Sequence, residues 1–153
     1  MIPIPTKMAM TSGGAEGLTK LNAFDHALLA AGIGNINLIK VSSIVPPGIE
    51  LIELPNIPGG SLTPMAYATI TSDVPGEMIA AAVAAGFHKP DHYGVIMEYS
   101  GKCTAKEASK RVISMVEEAF VTRGIVLNDV KVTSTQHVVV KTGSVIAAAV
   151  LLY

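Results

Sequence analysis

The chain alternates short apolar runs with turns rich in glycine, proline and asparagine, and this pattern limits what it can fold into. Its longest apolar run covers residues 145–152. A helix that crosses a membrane needs about 20 consecutive apolar residues, so this run is better interpreted as a buried β-strand. We therefore expect a domain of many short elements around a shared core, with no membrane partner.

Seven runs have the apolar content and flanking turn residues of strands: 35–42, 44–54, 65–71, 93–99, 125–133, 137–141 and 144–152. Pro46 and Pro47 lie near the start of the second run. Proline cannot donate a hydrogen bond to a neighbouring strand. We therefore expect this strand to be interrupted, or to lie at a sheet edge near its start.

Three segments have helical spacing of apolar residues: 22–31, 73–85 and 105–123. Asn22 can cap the first, Pro75 suits the first turn of the second, and Thr104 with Glu107 forms a capping box for the third. A glycine follows each predicted end, at Gly32, Gly86 and Gly124. Strands combined with three amphipathic helices in one domain predict an α+β sandwich.

Composition narrows the range of partners. The 153 residues fit a single domain, 1–153, and half of them are hydrophobic while 15% are charged. There are 11 Lys and Arg against 12 Asp and Glu, with no basic run and no Trp, so nucleic acid is not an expected partner. Because a small domain has a limited interior, part of this apolar surface is expected between subunits of a homo-oligomer.

Ordinary cofactor and metal motifs are missing. Cys103 is the only cysteine, which excludes an internal disulfide and favours a reducing compartment. The N-terminus lacks the pattern of a signal peptide, so a cytoplasmic location is expected. The four histidines are His26, His88, His92 and His137, and no cysteine or acidic cluster completes a zinc set, so no metal is expected.

Two glycine-rich stretches do not form nucleotide sites. Residues 32–37 begin like a dinucleotide fingerprint, but position 37 is Asn and the stretch lies between a predicted helix and a strand, the reverse of the required order. Residues 12–17 lack the Lys of a phosphate loop. No Gly-x-Ser-x-Gly motif is present. Pattern alone therefore indicates an α+β domain of unspecified activity.

Three blocks resemble the pyruvoyl-dependent arginine decarboxylases. They are LNAFDHALLAAGIGNINLIKVSSIVPP at 21–47, ITSDVPGE at 70–77 and GVIMEYSGKC at 94–103, in the order found in the family. The Ser-Ser-Ile-x-Pro-Pro core of the first block is quite specific, whereas His26 departs from the small residue expected there. The resemblance implies a four-layer αββα sandwich, homotrimers that pair further in one alternative, and active sites between neighbouring subunits.

The resemblance also implies that the chain makes its own cofactor. The Ser43 hydroxyl would attack the Ser42 carbonyl, and the resulting ester would eliminate to leave a β chain, 1–42, and an α chain, 43–153. Loss of ammonia would turn residue 43 into a pyruvoyl group. That covalent group, rather than pyridoxal phosphate or a metal, would be the electron sink for decarboxylation. Without the flanking match, Ser42-Ser43 would be interpreted as a plain turn.

Further site residues follow from the same match, each with a structural alternative. Glu98 would be the proton donor, or else a glutamate on an exposed strand face. Asn37 would hydrogen-bond the Ser42 carbonyl during processing, or else be an outward-facing polar residue. Asp25 would bind the substrate guanidinium, or else favour the helix dipole. The pocket would also include Leu28, which is equally suited to the core, with Gly34 and Ile36.

The implied reaction is decarboxylation of L-arginine to agmatine and carbon dioxide. Another basic amino acid is the alternative within this class, because substrate choice depends mainly on Asp25 and pocket shape. A structural or regulatory homologue that does not process is the alternative outside it. A hydrolase that uses Ser43 directly is disfavoured, because no histidine–acid pattern accompanies that serine.

Overall fold

The computed structural model describes residues 1–153, in which two helices and nine strands follow one another in an order rich in β-structure. The elements are β1 (Lys7–Glu16), α1 (Lys20–Ala30), β2 (Asn37–Lys40), β3 (Ile44–Val45), β4 (Glu50–Leu51), β5 (Leu62–Ser72), β6 (Met78–Phe87), β7 (Gly94–Gly101), α2 (Ala105–Arg123), β8 (Asp129–Val138) and β9 (Gly143–Leu152).

The strands form two sheets that face each other between the helices. One sheet has the order β2-β5-β9-β1-β4 and the other the order β3-β7-β6-β8. α1 packs on β1 and β9 of the first sheet, α2 packs on β6 and β7 of the second, and β6 packs on β9 across the interface between the sheets. The predicted four-layer αββα sandwich is therefore confirmed, and its three apolar clusters fill the three spaces between the layers.

The predicted helix over 73–85 is wrong, because Met78–Phe87 forms the central strand β6. Its run of alanines suits a helix by propensity. However, the residues from Ile79 to Gly86 are all buried, because one face of the strand packs on the first sheet and the other on α2. Small side chains allow both layers to approach closely, so tertiary packing overrides the local helix preference.

The turn before β6 explains why no helix begins near Pro75. Pro75 and Gly76 occupy the two central positions of a turn in which the Glu77 N–H donates to the Val74 carbonyl at 3.2 Å. Gly76 has a φ of 84°, which favours glycine at the third position of a type II turn. The proline therefore begins a β-turn instead of the first turn of a helix.

Several predicted strand boundaries also needed correction. The predicted strand over 44–54 is reduced to β3 and β4, which are two residues long each and lie at the edges of different sheets. The two prolines between them interrupt the ladder, as expected. The predicted strands over 125–133 and 137–141 are one strand, β8, and β1 had not been predicted.

The two observed helices show how caps set their ends. α2 has the predicted bounds: the Thr104 hydroxyl accepts the Glu107 N–H at 3.2 Å, and Gly124 ends the helix in a left-handed conformation. α1 begins at Lys20 because Thr19, and not Asn22, is its N-cap residue. Neither helix is long and apolar enough to cross a membrane.

The partly buried carboxylate of Glu16 closes the turn between β8 and β9. Partial burial by itself would raise the pKa of Glu16, but hydrogen bonds from the Lys141, Val140 and Thr142 N–H groups and from His137 outweigh it and lower the pKa to about 2. Because β1 pairs with β9 along its whole length, this contact ties the start of α1 to the far end of the sheet. Glu16 is therefore a structural residue of this edge.

Replacing Glu16 with Gln is expected to lower the free energy of unfolding at pH 7 by about 1–2 kcal/mol, because charge-assisted hydrogen bonds to three N–H groups are weakened. The folded-state pKa is below the ordinary value of 4.5, so the contribution of Glu16 is present above pH 4.5 and disappears as pH falls towards 2. Urea titrations at several pH values measure this. Glu117→Gln, at an exposed position on α2, is the control, and an equal loss in both variants would contradict the role of Glu16.

Candidate active site

Ser42 and Ser43 join the two sheets at one open edge of the sandwich. They lie between β2, an edge strand of the first sheet, and β3, an edge strand of the second. The Val41 N–H donates to the Met65 carbonyl at 3.1 Å on one side, and the Ile96 N–H donates to the Ser43 carbonyl at 2.8 Å on the other. The residue before Ser42 is therefore held by the first sheet and Ser43 by the second, so the bond between the serines lies where the chain crosses from one sheet to the other.

The peptide between the serines lies in a tight turn. The Ile44 N–H donates to the Ser42 carbonyl at 3.2 Å, a spacing typical of a γ-turn centred on Ser43. No residue other than glycine has a positive φ, so this is the common inverse form of the γ-turn and not the rare strained form. Its hydrogen bonds, rather than a left-handed residue, hold the Ser42 carbonyl in place.

The Ser43 hydroxyl donates to Glu98 Oε2 at 3.0 Å. Glu98 lies on β7 and pairs with Val83 of β6. Side chains alternate along a strand, and Ile96, two residues before Glu98, packs in the cluster between the sheets. Glu98 therefore points into the space between the sheets, and the alternative of a fully exposed glutamate does not apply.

The environment of Glu98 favours its protonated form. Burial raises the pKa of this carboxyl, while the hydrogen bond from Ser43 and the charge of Lys40 act in the opposite direction and leave a net increase. Loss of the Ser43 hydroxyl would remove one of the two groups that favour the charged form. A carboxyl in this setting is suited to donating a proton.

The predicted contact between Asn37 and the Ser42 carbonyl is not made within one chain. Asn37 begins β2, and its amide donates to the Gly60 carbonyl at 3.0 Å. Five residues of extended chain span about 16 Å, so the two groups lie at opposite ends of the strand. The Ile44 N–H is the donor that reaches the Ser42 carbonyl instead.

The residues predicted to bind substrate lie together around α1. Asp25 is exposed and forms no ion pair. It lies one turn from Leu21 and one turn from Leu29, whose side chains are 76% and 48% exposed. A Cβ on Gly34 would lie 2.6 Å from the Leu29 side chain, so glycine is needed where this loop crosses the helix. The result is an exposed acidic and apolar face.

Leu28 and Ile36 lie on the buried side of this region, between α1 and the first sheet. Leu28 is 8% exposed and belongs to the apolar cluster between α1 and the first sheet, and Ile36 packs against the same cluster. Within one chain both side chains support the helix and the strand. Their contact with substrate stays a prediction.

The two groups of predicted residues are separated in a single chain. Ser43 and Glu98 lie at the edge of the space between the sheets, whereas Asp25 is on a helix that packs on the outer side of the first sheet. Packed layers are about 10 Å apart. The structure therefore brings Ser43 and Glu98 together, but not Asp25 or Asn37 with them.

No histidine accompanies Ser43. The Nδ1 atoms of His26, His88 and His92 bond backbone carbonyls away from the serine pair, and His137 bonds Glu16. A hydrolase that uses Ser43 through a histidine base is therefore not supported by the geometry.

Residue 43 suits a pyruvoyl group. In a pyruvoyl group a ketone oxygen replaces the nitrogen on the Cα of residue 43, and a methyl group replaces the hydroxymethyl side chain. The Ser43 carbonyl, which already accepts the Ile96 N–H, would be kept. Because the Ser43 side chain contacts Glu98 at this half-buried position, a ketone at residue 43 would lie close to that carboxyl. The Ile44 and Ile96 N–H groups were not predicted from the sequence, because every residue except proline carries the same donor and no side-chain signal marks them.

Comparison with known proteins agrees with this geometry. Residues 7–153 match the family model described as pyruvoyl-dependent arginine decarboxylase. Proteins of that name from Methanocaldococcus jannaschii, Pyrococcus abyssi and Thermococcus sibiricus are 48%, 49% and 51% identical to this chain. The alignments cover 98%, 97% and 97% of this chain and 92%, 96% and 96% of the relatives. The chain therefore belongs to the pyruvoyl-dependent arginine decarboxylase family.

Proposed function

We propose that this protein decarboxylates L-arginine to agmatine and carbon dioxide with a pyruvoyl group made from its own Ser43. The observation that carries this proposal is the Ser43–Glu98 hydrogen bond at the crossing between the sheets. It places a hydroxyl that can attack the preceding carbonyl beside a half-buried carboxyl that can later donate a proton. We take arginine as the substrate because the relatives are named arginine decarboxylases.

Processing begins with attack by Ser43 Oγ on the carbonyl carbon of Ser42. The bond from that carbon to the Ser43 nitrogen breaks, the nitrogen takes a proton, and an ester replaces the peptide. The Ile44 N–H, already 3.2 Å from the Ser42 oxygen, can stabilise the negative charge that develops there. Glu98 orients the attacking oxygen through its hydrogen bond.

Elimination then separates the two pieces. Loss of the Ser43 α-proton breaks the bond from its Cβ to the ester oxygen, so Ser42 leaves as a free carboxylate and residue 43 becomes dehydroalanine. One water adds and one ammonia leaves, which gives the pyruvoyl group. When formed, this group supplies an electron sink for the carbanion left by decarboxylation.

The two pieces stay together after cleavage because the sheet already joins them. β1 pairs with β9 over ten residues, from Lys7–Leu152 to Glu16–Gly143. β2 pairs with β5, and α1 packs on both β1 and β9. Cleavage removes one covalent link between the sheets while this pairing remains.

In the processed enzyme Glu98 donates a proton to the substrate carbon. Burial raises the pKa of Glu98, and the opposing hydrogen bond from the Ser43 hydroxyl is lost when that hydroxyl is eliminated. Protonated Glu98 therefore persists to higher pH than an ordinary carboxyl, and decarboxylation is expected to decline as pH rises through that pKa.

A second copy of the chain completes the site. Asp25 and Asn37 of one subunit would approach Ser43 and Glu98 of its neighbour, because no single chain brings these groups together. The exposed Leu21 and Leu29 beside Asp25, and the exposed Ile39 and Ile44 beside the serine pair, provide apolar surface for this contact. The assembly we propose is a homotrimer, in which the Asp25 carboxylate would accept paired hydrogen bonds from the substrate guanidinium.

The substrate is tested by incubating the purified protein with arginine, lysine or ornithine and measuring carbon dioxide and the amine product. We expect agmatine from arginine. A guanidinium can form two parallel hydrogen bonds with a carboxylate, whereas an ammonium cannot match that geometry. Turnover of lysine without turnover of arginine would contradict the assignment.

Mixing two variants of low activity tests whether neighbouring subunits share one active site. Asp25→Ala and Glu98→Gln remove residues that two neighbouring subunits contribute to the same active site. Co-expression of the two variants is therefore expected to restore activity at sites where a wild-type Asp25 faces a wild-type Glu98. Each variant alone is expected to turn over arginine far more slowly than the wild type. The measurement is arginine turnover per processed subunit. If the co-expressed mixture stays as slow as its components, Asp25 and Glu98 do not belong to neighbouring chains.

A further inference from the structure

Lys40 is a basic residue close to the cleavage site that forms no ion pair in the intact chain. It ends β2, two residues before Ser42. The four ion pairs of the protein involve other residues. Its ammonium lies instead 4.8 Å from the centre of the Tyr67 ring, which is on the neighbouring strand β5. A cation–π contact of this kind holds the charge while leaving its N–H groups free to bind an anion.

Cleavage after Ser42 creates a carboxylate within reach of this ammonium. Residues two apart on an extended chain have Cα atoms about 7 Å apart, and the new carboxylate belongs to the main chain of Ser42. The four-carbon stem of lysine spans this distance. The chain remains paired with β5 up to Val41, because the Val41 N–H donates to the Met65 carbonyl.

The new carboxylate also changes the charge near Glu98. Processing removes no acidic group, and it converts the Ser43 nitrogen into free ammonia, so the site gains one negative charge. The ionisable group that acts on Glu98 from β2 is Lys40, whose charge opposes the increase in pKa that burial causes. Near these strands, Lys102, which follows β7, is paired with Glu77, which precedes β6. The Arg111 guanidinium of α2 lies over the Tyr99 ring.

We propose that Lys40, supported by Tyr67, binds the α-carboxylate that cleavage creates at Ser42 and so holds the severed end of β2 against the sheet. Lys40 is a positioning residue in this account. It keeps the edge strand beside the active site in place after the covalent link to β3 is lost. This inference rests on the proposed function, since it requires cleavage between Ser42 and Ser43.

Carboxypeptidase digestion of the processed protein tests this role of Lys40. Mass spectrometry measures how fast fragment 1–42 is shortened. In the wild type the end at Ser42 should resist trimming. Lys40→Met is expected to speed removal of Ser42 and Val41 by about tenfold, the effect of losing one charge-assisted hydrogen bond of about 1.4 kcal/mol. Lys40→Arg should restore protection, because arginine keeps the charge. Lys20→Met, at an exposed lysine on α1, is the matched control and should be trimmed like the wild type.

The outcomes separate this inference from the proposed function. A wild-type chain that never splits after Ser42 contradicts the proposed function itself. A wild type that splits normally, but whose fragment is trimmed as fast as that of Lys40→Met, overturns the role of Lys40 alone. If Lys40→Met does not cleave, Tyr67→Leu replaces it, since loss of the ring should also increase trimming. Equal trimming of Tyr67→Leu and the wild type would then overturn the inference.

Discussion

Replacing Ser43 with alanine is expected to leave a single chain of 153 residues with no decarboxylase activity. Alanine lacks the oxygen that attacks the Ser42 carbonyl, so neither the ester nor the pyruvoyl group can form. Intact mass spectrometry measures the result. The wild type should give fragments 1–42 and 43–153 whose summed mass exceeds that of the uncleaved chain by one water minus one ammonia.

Ser42→Ala is the control for this variant. It keeps the Ser43 hydroxyl, the carbonyl that is attacked and the Ile44 N–H that bonds it, so cleavage should continue. Fragments whose summed mass exceeds that of the chain by a full water would indicate ordinary hydrolysis without a pyruvoyl group. Cleavage of Ser43→Ala at the same bond would contradict the assignment of Ser43.

Replacing Glu98 with glutamine is expected to lower kcat by about 10²–10⁴, the range typical of a lost general acid. The amide can still accept the hydrogen bond from Ser43, so we expect this variant to be processed. Release of carbon dioxide from arginine measures turnover, and mass spectrometry of the same sample verifies that the two fragments have formed.

The pH dependence of the wild type provides a second measurement of Glu98. Its kcat should decline as pH rises through the raised pKa of Glu98, because the protonated form is the active one. The residual activity of Glu98→Gln should lack this decline, since glutamine does not titrate. A processed Glu98→Gln enzyme that turns over arginine at the wild-type rate would exclude Glu98 as the proton donor.

The separation of the two groups of site residues explains why the geometry of one chain supports processing better than substrate binding. Ser43, the Ile44 N–H and Glu98 are all present at one crossing between the sheets. Asp25 is exposed on a helix in another layer. We therefore expect a single folded chain to contain the groups needed for self-cleavage, and an assembly to be needed for efficient decarboxylation.

The sequence predicted local structure correctly where a few neighbouring residues determine it. Thr104, Glu107 and Gly124 set the ends of α2, because capping depends on groups within one helical turn. The Ser42-Ser43 pair and Glu98 were predicted from the resemblance of their flanking blocks, and the structure places Ser43 and Glu98 in contact. The α+β class followed from the number and length of the apolar runs.

Tertiary structure decided the elements whose local preference was misleading. The alanines of β6 favour a helix by propensity, and they form a strand because two layers must pack closely on its two faces. Asn37 is near Ser42 in sequence, yet an extended β2 keeps the two at opposite ends of a strand. Backbone donors such as the Ile44 N–H have no sequence signal, so only the fold could place them.

What the sequence by itself determined was thus the family and the fold class, together with a set of candidate residues for the chemistry, because these depend on residue identity and short-range order. What only the tertiary structure decided was which of these residues meet. Glu98 meets Ser43 because β7 pairs with β3 at the edge where the chain passes between sheets. Asp25 lies apart because α1 packs on the outer side of the first sheet. Contacts between residues far apart in the chain depend on layer packing, which no local pattern encodes.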